Sequence, residues 1–424
     1  MLYTLHEAQR AILRPLSTWA EAMSQAYSHP YSPFSYAPFS SRFSAGFELI
    51  YRFGKEYQKP DFGVTSVEIN GVAVPVTRKV VLEKPFCTLL HFEREFPAEM
   101  TDRAPDPVVL AFAPLSGHHS SLLRDTVRTL LRNHDVYLTD WVDARMVPLS
   151  EGSFHLDDYV DYAIEFIRSL GPEVHVMSVC QPTVPVLAAV SIMATINDPR
   201  QPRSMIMMGG PIDTRQSPTE VNQLAIDKPF QWFERNLIYR VPARYPGAGR
   251  AVYPGFLQHA GFIAMNPNRH TESHRDYYED LVRGDLEDVE AHRRFYDEYN
   301  AVLDMPVEYY LDTICTVFQK HLLPLGKWDV TFENKVFRVD PSKINKVALF
   351  TIEGELDDIS GVGQTQAAHK LCTGIPKSRK RHHTAPGAGH YGIFSGRRWR
   401  EQIYPEVSSF IRQNLAAAKS RRAA

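Results

Sequence analysis

The chain contains 424 residues, of which 44% are hydrophobic and 23% are charged, so it can bury a sizeable core. Its 47 Lys and Arg residues nearly balance its 49 Asp and Glu residues. The chain therefore has no large positive net charge that would attract nucleic acid or an acidic membrane. No CxxC pair occurs among Cys87, Cys180, Cys315 and Cys372, and this argues against a disulfide framework or a zinc site.

The N-terminus carries no targeting pattern, because no basic start is followed by an apolar core. The longest nearly unbroken apolar run, Val184–Ile196, is too short to cross a bilayer. We therefore expect a cytoplasmic protein with reduced thiols and without a transmembrane segment.

Residues 1–62 form the first of four predicted regions, an N-terminal helical and aromatic extension. Apolar residues recur in it at helical spacing, and they are Leu5, Ile12, Leu13, Leu16 and Trp19. Pro15 lies among them and predicts a kink or a break. The segment Ser28–Phe53 is rich in aromatic residues and proline. We expect its rings to pack into the core beneath an irregular segment, and the alternative is a hydrophobic surface that binds a partner.

Residues 63–218 form the second region. Short β runs come first, with Asn70-Gly71 as a hairpin turn signal. Strands and helices then alternate, and each strand is almost continuously apolar, which predicts a mostly parallel sheet covered on both faces. The predicted strands are 107–113, 135–141, 173–179 and 203–211, and the predicted helices are 120–134, 155–171 and 183–197.

The alternation stops at residues 219–343, which are charged, aromatic and mostly helical in pattern. It resumes in residues 344–424, where we predict strands at 345–354 and 380–385 and helices at 363–372 and 400–418. The fold class is therefore an α/β core, 63–218 and 344–424, interrupted by a helical lid insertion at 219–343.

The predicted strand 173–179 ends abruptly at Cys180, and a helical pattern begins directly after it. A strand, a sharp turn with a nucleophile and a helix form a nucleophile elbow, which favours small residues two positions before and after the nucleophile. Ser178 and Pro182 occupy those positions, and proline is tolerated in a first helical turn. The pattern does not explain Pro185. The helix N-terminus would favour a Cys180 thiolate, and the alternative is a buried structural cysteine.

The acid and the histidine follow the nucleophile in chain order in hydrolases of this design. The loop after predicted strand 345–354 contains Asp357 and the adjacent Asp358, which spacing alone does not separate. His390 follows in a glycine-rich loop whose backbone freedom suits an imidazole that reaches over the sheet edge. The order predicts a triad of Cys180, one of these aspartates, and His390.

Two backbone N–H groups are expected to stabilise an oxyanion formed at the nucleophile. The first belongs to Gln181. The second comes from the loop after strand 107–113, where Leu115 and Ser116 are the candidates, since Pro114 has no N–H to donate.

No cofactor or metal is expected. His270 and His274 have a spacing of four residues, but no third ligand follows at metal spacing. Glycine-rich phosphate-binding motifs are also missing after the predicted strands.

The residues around this predicted triad resemble the intracellular poly(3-hydroxybutyrate) depolymerases that use cysteine in place of serine. The resemblance is carried by "SVCQPTVPVLAA", "GELDDISGVGQTQAAHKLC" and "GAGHYGIFSGRRWREQIYPEV" and extends over most of the chain. It implies Cys180 as nucleophile, His390 as base and Asp357 as acid, because the related pattern has its acid two residues before an isoleucine, here Ile359. The related polyester synthases carry a G-x-C-x-G elbow, from which this chain departs at both ends.

The resemblance implies an α/β-hydrolase that cleaves ester bonds of amorphous polyhydroxybutyrate without a cofactor. The expected partner is the surface of a cytoplasmic polyester granule, and no nucleic acid partner is expected. Two alternatives stay open: acyl transfer or thiolysis on hydroxyacyl-CoA or polyester, and a non-catalytic protein that binds granules. The sequence leaves open the polyester side-chain length, the product size and whether the protein is a homo-oligomer.

Overall fold

A computed structural model describes residues 2–100, 104–265 and 267–423. Its strands, in chain order, are β1 (Ser66–Ile69), β2 (Val72–Lys84), β3 (Cys87–Arg94), β4 (Val108–Phe112), β5 (Asp135–Trp141), β6 (His175–Val179), β7 (Ser204–Met208), β8 (Tyr239–Arg240), β9 (Ala251–Tyr253), β10 (Met305–Pro306), β11 (Asp329–Phe332), β12 (Lys335–Arg338), β13 (Ala348–Gly354) and β14 (Lys380–Ala385).

The helices, in chain order, are α1 (Leu2–Ser28), α2 (Ser40–Gly54), α3 (Arg124–Leu130), α4 (Leu156–Leu170), α5 (Thr183–Thr195), α6 (Glu220–Asp227), α7 (Phe230–Leu237), α8 (Gly255–Met265), α9 (Pro267–Arg283), α10 (Leu286–Tyr299), α11 (Val307–Thr313), α12 (Ala368–Leu371), α13 (Gly396–Arg398) and α14 (Tyr404–Ala423). None of these described helices is long and apolar enough to cross a membrane.

The main sheet has the strand order β1-β2-β3-β5-β4-β6-β7-β13-β14. The strands from β1 to β5 pair antiparallel along one side. From β5 onward the strands are parallel, and β6, β7 and β13 are buried along their whole length. Strands buried on both faces are typical of a parallel sheet covered by helices. The predicted fold class is confirmed, and the fold is that of an α/β-hydrolase.

The strand order brings the functional loops together. The chain leaves β4 toward β5 on one side and reaches β6 on the other, so a topological switch point lies between β4 and β6. Ligands of open α/β sheets bind at the carboxyl ends of the strands beside such a point. The loops after β4 and β6 are therefore neighbours at this edge, and those after β7, β13 and β14 lie farther along it.

The hairpin signal at Asn70-Gly71 is confirmed. Ile69 pairs with Val72 across a two-residue turn, and φ is 52° at Asn70 and 80° at Gly71. Positive φ at both turn residues is the arrangement that Asn-Gly adopts at low cost.

Between β7 and β13 the chain leaves the main sheet. It forms α6 to α11, a small three-stranded sheet of β8, β9 and β10, and the hairpin β11–β12. The helices follow the predicted pattern, whereas the hairpin was not predicted. A π-helical turn, Ile314–Gln319, continues α11.

One predicted helix of the core is much shorter than expected. The pattern favoured a helix over 363–372, but only α12 is α-helical. The buried carboxylate of Glu353 accepts hydrogen bonds from the N–H groups of Gly363, at 2.9 Å, and Gln366, at 2.8 Å. Gly363 also has a φ of 95°, which is outside the helical region. This tertiary contact holds the segment in turns.

The N-terminal region differs from expectation in two respects. Helix α1 runs through Pro15 without a break, and because residues 11–16 are exposed, a carbonyl that loses its partner there can bind water. The expectation of core packing is wrong for most of the rings in Ser28–Phe53, since Tyr31, Tyr36 and Phe39 among others are exposed.

Candidate active site

Cys180 lies on a sharp turn between β6 and α5. Its φ of 67° falls in the left-handed region, which non-glycine residues rarely adopt. Its N–H donates to the carbonyl of Met208 at 2.7 Å, and its own carbonyl accepts from the N–H and hydroxyl of Thr183 at 3.1 and 2.9 Å. The geometry is that of a nucleophile elbow, in which backbone strain presents the side chain at the sheet edge.

Both prolines of the elbow fit the start of α5. Pro182 directly precedes the helix with a φ of −53°. Pro185 is its third residue, so the N–H that proline lacks would have no intrahelical acceptor there. The first full helical hydrogen bond is donated by the N–H of Val186 to the carbonyl of Pro182, at 2.9 Å. The position of Pro185, which the sequence pattern left unexplained, is accounted for by this register.

His390 and Asp357 form a buried pair beside the elbow. Nδ1 of His390 donates to Oδ2 of Asp357 at 2.8 Å. The other carboxylate oxygen accepts from the N–H groups of Ile359, at 2.9 Å, and Ser360, at 2.8 Å. These bonds fix the carboxylate so that it orients the imidazole. The structure thus brings Asp357, rather than the exposed Asp358, to His390.

The electrostatics of His390 favour its protonated form. Burial lowers the pKa of this imidazole, but charge and hydrogen-bond interactions with Asp357 and Cys180 raise the pKa well above its usual value. With Nδ1 bound to the carboxylate, Nε2 remains for the sulfur. Interactions with Cys180 and Asp357 thus help to hold a proton on the imidazole of His390.

The sequence pattern missed two glycines, of which Gly209 lies against this pair and Gly210 against Thr183 at the start of α5. Gly209 follows β7 with a φ of 54°, and a Cβ there would lie 2.7 Å from Cδ1 of Ile393 and 3.2 Å from Cε1 of His390. At Gly210 a Cβ would lie 1.8 Å from Oγ1 of Thr183. The Gly209-Gly210 pair at the end of predicted strand 203–211 was the available signal, because glycine after a strand often marks close approach of another chain segment.

Cys180 lines a cavity of about 560 Å³. Cys180, Gln181, Ser116 and His390 form its polar end. Most of the remaining wall is apolar and comes from the segment between β7 and β13, including Phe233, Leu237, Phe262, Tyr310 and Phe318. Residues of the predicted lid thus line the cavity that contains Cys180, and the cavity suits an apolar substrate with one polar reacting group.

Of the predicted oxyanion donors, Gln181 and Ser116 line this cavity. No acceptor within the described chain binds the N–H groups of Gln181, Leu115 or Ser116. The side chain of Ser116 lines the cavity, whereas that of Leu115 packs into the core. The geometry brings Gln181 and the loop after β4 to the same side of Cys180.

The loop after β4 is held by residues of the insertion, which the sequence did not indicate. Gly117 has a φ of 101°, and a Cβ there would lie 2.5 Å from Oε1 of Gln258. The carbonyl of Gly117 accepts a hydrogen bond from the N–H of Leu303 at 2.8 Å. His118 forms an isolated antiparallel β-bridge with Val302. The insertion therefore positions this loop as well as covering the site.

The histidines with metal-like spacing make other contacts. Nδ1 of His270 lies 3.0 Å from the hydroxyl of Tyr296, and Nε2 lies 3.3 Å from that of Tyr299. Within residues 2–100, 104–265 and 267–423, no group of three or more His, Cys, Asp or Glu side chains is arranged to hold a metal ion.

Residues 209–415, just under half of the chain, match the family described as "PHB de-polymerase C-terminus". The matched region includes Asp357 and His390, whereas Cys180 precedes it. No curated protein sequence matches the chain significantly.

Several solved structures share features of the fold. One is 2-hydroxy-6-oxo-6-phenylhexa-2,4-dienoate hydrolase from Rhodococcus sp. strain RHA1, with 13% identity and a TM-score of 0.43 over 80% of this chain and 99% of that chain. Another is the monoacylglycerol lipase of Paleococcus ferrophilus, with 11% identity and a TM-score of 0.42 over 73% and 96%. A third is a carboxylesterase of the thaumarchaeon Nitrososphaera gargenis, with 12% identity and a TM-score of 0.39 over 80% and 100%.

Proposed function

We propose that the chain is an ester hydrolase similar to the family described as "PHB de-polymerase C-terminus", and that it cleaves poly(3-hydroxybutyrate) through Cys180, His390 and Asp357. The observation that carries the proposal is the elbow at Cys180, with its φ of 67°, beside the buried His390–Asp357 pair. The apolar cavity supports a substrate whose repeating unit is an ester with a short hydrocarbon side chain. The proposed substrate is an amorphous polyester granule stored inside the cell.

The first half-reaction transfers an acyl group to sulfur. The Cys180 thiolate attacks the ester carbonyl, and the tetrahedral oxyanion accepts hydrogen bonds from the N–H of Gln181 and an N–H of Leu115 or Ser116. The intermediate collapses with cleavage of the C–O bond. The alkoxide of the departing chain takes the proton from Nε2 of His390, which leaves a thioester on the sulfur and a neutral imidazole.

The second half-reaction returns the enzyme to its starting state. Water gives a proton to His390 as its oxygen attacks the thioester carbonyl, and the same N–H groups stabilise the second oxyanion. Collapse breaks the C–S bond and frees a 3-hydroxybutyrate monomer or oligomer. Asp357 stays ionised throughout and holds the imidazole in orientation.

The experiment follows the turbidity of amorphous polyhydroxybutyrate granules and the 3-hydroxybutyrate released from them. We expect the wild type to clear the suspension, and we expect Cys180→Ala to lose about 10³-fold or more of that activity. Cys315→Ala is the matched control, since Cys315 is also half-buried but does not line the cavity. Equal rates for wild type and Cys180→Ala would contradict the proposal. Release of coenzyme A from hydroxyacyl-CoA with polymer growth would favour acyl transfer instead.

A further inference from the structure

Helix α1 presents its apolar residues to solvent. Ile12 is 76% exposed, and Leu5, Leu16 and Trp19 on the same helical face are also exposed. The opposite face, which packs inward, carries the small residues Ser17, Ala20 and Ser24. A surface helix normally turns its apolar stripe toward the core. This reversed arrangement leaves a long apolar stripe uncovered.

The connection from α1 to α2 and helix α2 itself extend the uncovered surface. Tyr31 is 91%, Tyr36 81% and Phe39 67% exposed, and Phe43 and Phe53 of α2 are exposed as well. Residues 22–41 contain no Asp, Glu, Lys or Arg. The tip of this pair of helices is thus an aromatic surface whose own segment has no formal charge, and the next charged residue, Arg42, places its guanidinium carbon 5.6 Å from the centre of the Phe39 ring.

The apolar stripe of α1 and the exposed rings of the connection and of α2 lie on one face. The rings of Trp19 and Phe47 lie 5.2 Å apart in an edge-to-face contact, and Tyr27 packs against Phe34 and Phe43 at 5.7 and 5.4 Å. These contacts join α1, the connection and α2 into one continuous apolar face. We call it the hairpin face, defined as the exposed apolar side chains of residues 5–53.

Phe39 is held in an unfavourable backbone conformation at this tip. Its φ is 61° and its ψ is 19°, in the left-handed region, where bulky residues are outliers. Asn adopts this conformation more readily, and the exposed ring of Phe39 gains little by burial. A strained residue that does not serve packing indicates a role in function.

The inner side of the hairpin is attached to the lid. The Tyr3 hydroxyl donates to Oδ2 of Asp304 at 2.7 Å, and the His6 ring stacks on Phe256 of α8 at 4.0 Å. Helix α8 also lines the active-site cavity through Gly261 and Phe262. The hairpin face therefore belongs to the part of the molecule that covers Cys180.

We propose that the hairpin face is the surface by which this protein lies on its water-insoluble polyester, an inference that rests on the proposed function. An aliphatic polyester is uncharged, so it offers methyl groups and ester carbonyls but no ionic partner. The tip complements that chemistry, since its rings bury apolar area on contact and the exposed hydroxyl of Tyr31 can donate to an ester carbonyl, whereas that of Tyr36 already donates to the carbonyl of Pro30. A protein partner or a second copy would normally meet a polar, charged rim.

Docking is tested by sedimentation with artificial amorphous polyhydroxybutyrate granules, using full chains that carry Cys180→Ala so that the polymer is not consumed. The tip variant combines Tyr31→Ser, Tyr36→Ser and Phe39→Asn. A second variant replaces the α1 stripe by Leu5→Gln, Ile12→Gln and Leu16→Gln. Matched controls are Val80→Thr and Val336→Thr, which are 58% and 69% exposed outside the hairpin face.

We expect both hairpin variants to bind granules at least about tenfold more weakly, because each removes several buried apolar side chains from the contact. The controls should bind as the parent does. With Cys180 intact, hydrolysis of a soluble 3-hydroxybutyrate trimer should change less than about twofold, since the substitutions are on the surface. Phe39→Asn alone should not lower thermal stability, which separates loss of docking from loss of fold.

Three results would overturn the inference: granule binding unaffected in both variants, no granule binding by the parent, or a parent dimer that becomes a monomer in the variants while granule binding persists. The last result would assign the hairpin face to contact between copies. Failure of the proposed function looks different. In that case the parent docks through the hairpin face, but the protein with Cys180 intact releases no 3-hydroxybutyrate from granules or from the trimer.

Discussion

The imidazole of His390 donates from Nδ1 to Oδ2 of Asp357 at 2.8 Å, and both residues are buried at the sheet edge that presents Cys180. Asp357 reaches this position because its other oxygen is bound to two successive N–H groups of its own loop. The carboxylate is therefore held in position by its own loop, independently of its hydrogen bond with His390. In the proposed mechanism, the backbone therefore positions the carboxylate of Asp357, the carboxylate orients His390, and His390 serves Cys180.

Asp357→Asn should show whether Asp357 or the adjacent Asp358 orients His390. The substitution removes the charge that raises the pKa of His390, so that pKa should fall and kcat should drop by about 10²–10⁴-fold. Asp358→Asn is the matched control, because Asp358 is exposed and the hydrogen bond donated by His390 is accepted by Asp357. NMR titration of His390 and steady-state hydrolysis of a soluble oligomer measure both effects. A larger loss in Asp358→Asn would reassign the acid.

The raised pKa of His390 also predicts a pH dependence of stability. A histidine whose folded pKa lies above the unfolded value of about 6.5 contributes stability that is fully present below that pH. That contribution is lost as pH rises through the folded pKa of His390. The difference in free energy of unfolding between wild type and His390→Gln should therefore shrink as pH rises above about 6.5. A difference that grows with pH would contradict the assignment.

Buried neutral histidines give the opposite trend in acid. Burial lowers the pKa of His134 to about 4 and that of His175 to about 3. Their contribution is present above about pH 6.5 and is lost as pH falls towards those values, on the order of 3 kcal/mol for His134 and 5 kcal/mol for His175. His134→Gln should flatten the fall in the free energy of unfolding between about pH 6.5 and 4. The exposed His29→Gln should leave that fall unchanged.

Cys180→Gly and Cys180→Ala should both be inactive, but their stabilities should differ. The φ of 67° at this position is strained for any residue with a Cβ. The glycine variant should therefore be the more stable of the two by about 1 kcal/mol, measured by chemical unfolding. Such a result would show that the elbow stores strain to present the thiol. If alanine were the more stable variant, the backbone would not be strained.

Gly209→Ala should disturb the site more than the fold. Its Cβ would press on Ile393 and His390, and its φ of 54° disfavours a side chain. We expect a loss of about tenfold or more in kcat, because the His390–Asp357 pair must move. Gly46→Ala is the matched control, since a Cβ there meets nothing within 4 Å and alanine favours the helix. A normal kcat in Gly209→Ala would show that the pair has room to adjust.

Local sequence pattern predicted where Cys180 and His390 lie in the fold, at a strand-to-helix turn and in a loop at the sheet edge. An apolar strand that ends at Cys180 and the glycine-rich loop around His390 each carry their signal within a few residues. The order of nucleophile, acid and histidine then follows from the strand order of the sheet. The choice between Asp357 and Asp358 needed either the family pattern or the observed hydrogen bond, because the two side chains are adjacent in the chain.

Features set by distant parts of the chain were not predictable from the sequence. The close approach of Gln258 to Gly117 joins residues far apart in the chain, and no local pattern reports it. Glu353 converts a helical pattern into turns by accepting two N–H groups from the next loop. The apolar residues of α1 recur at helical spacing in the sequence, but this spacing does not show whether the apolar face packs against the core or faces solvent.

The most direct test of the central claim is to trap the acyl-enzyme. Wild type and Cys180→Ala are mixed with a soluble 3-hydroxybutyrate trimer, quenched in acid within one turnover, and analysed by peptide mass spectrometry. The account predicts a 3-hydroxybutyryl thioester, labile to hydroxylamine, on the peptide that contains Cys180, and no acyl group on the variant. An acyl group on any other residue, or rapid hydrolysis by Cys180→Ala, would contradict it.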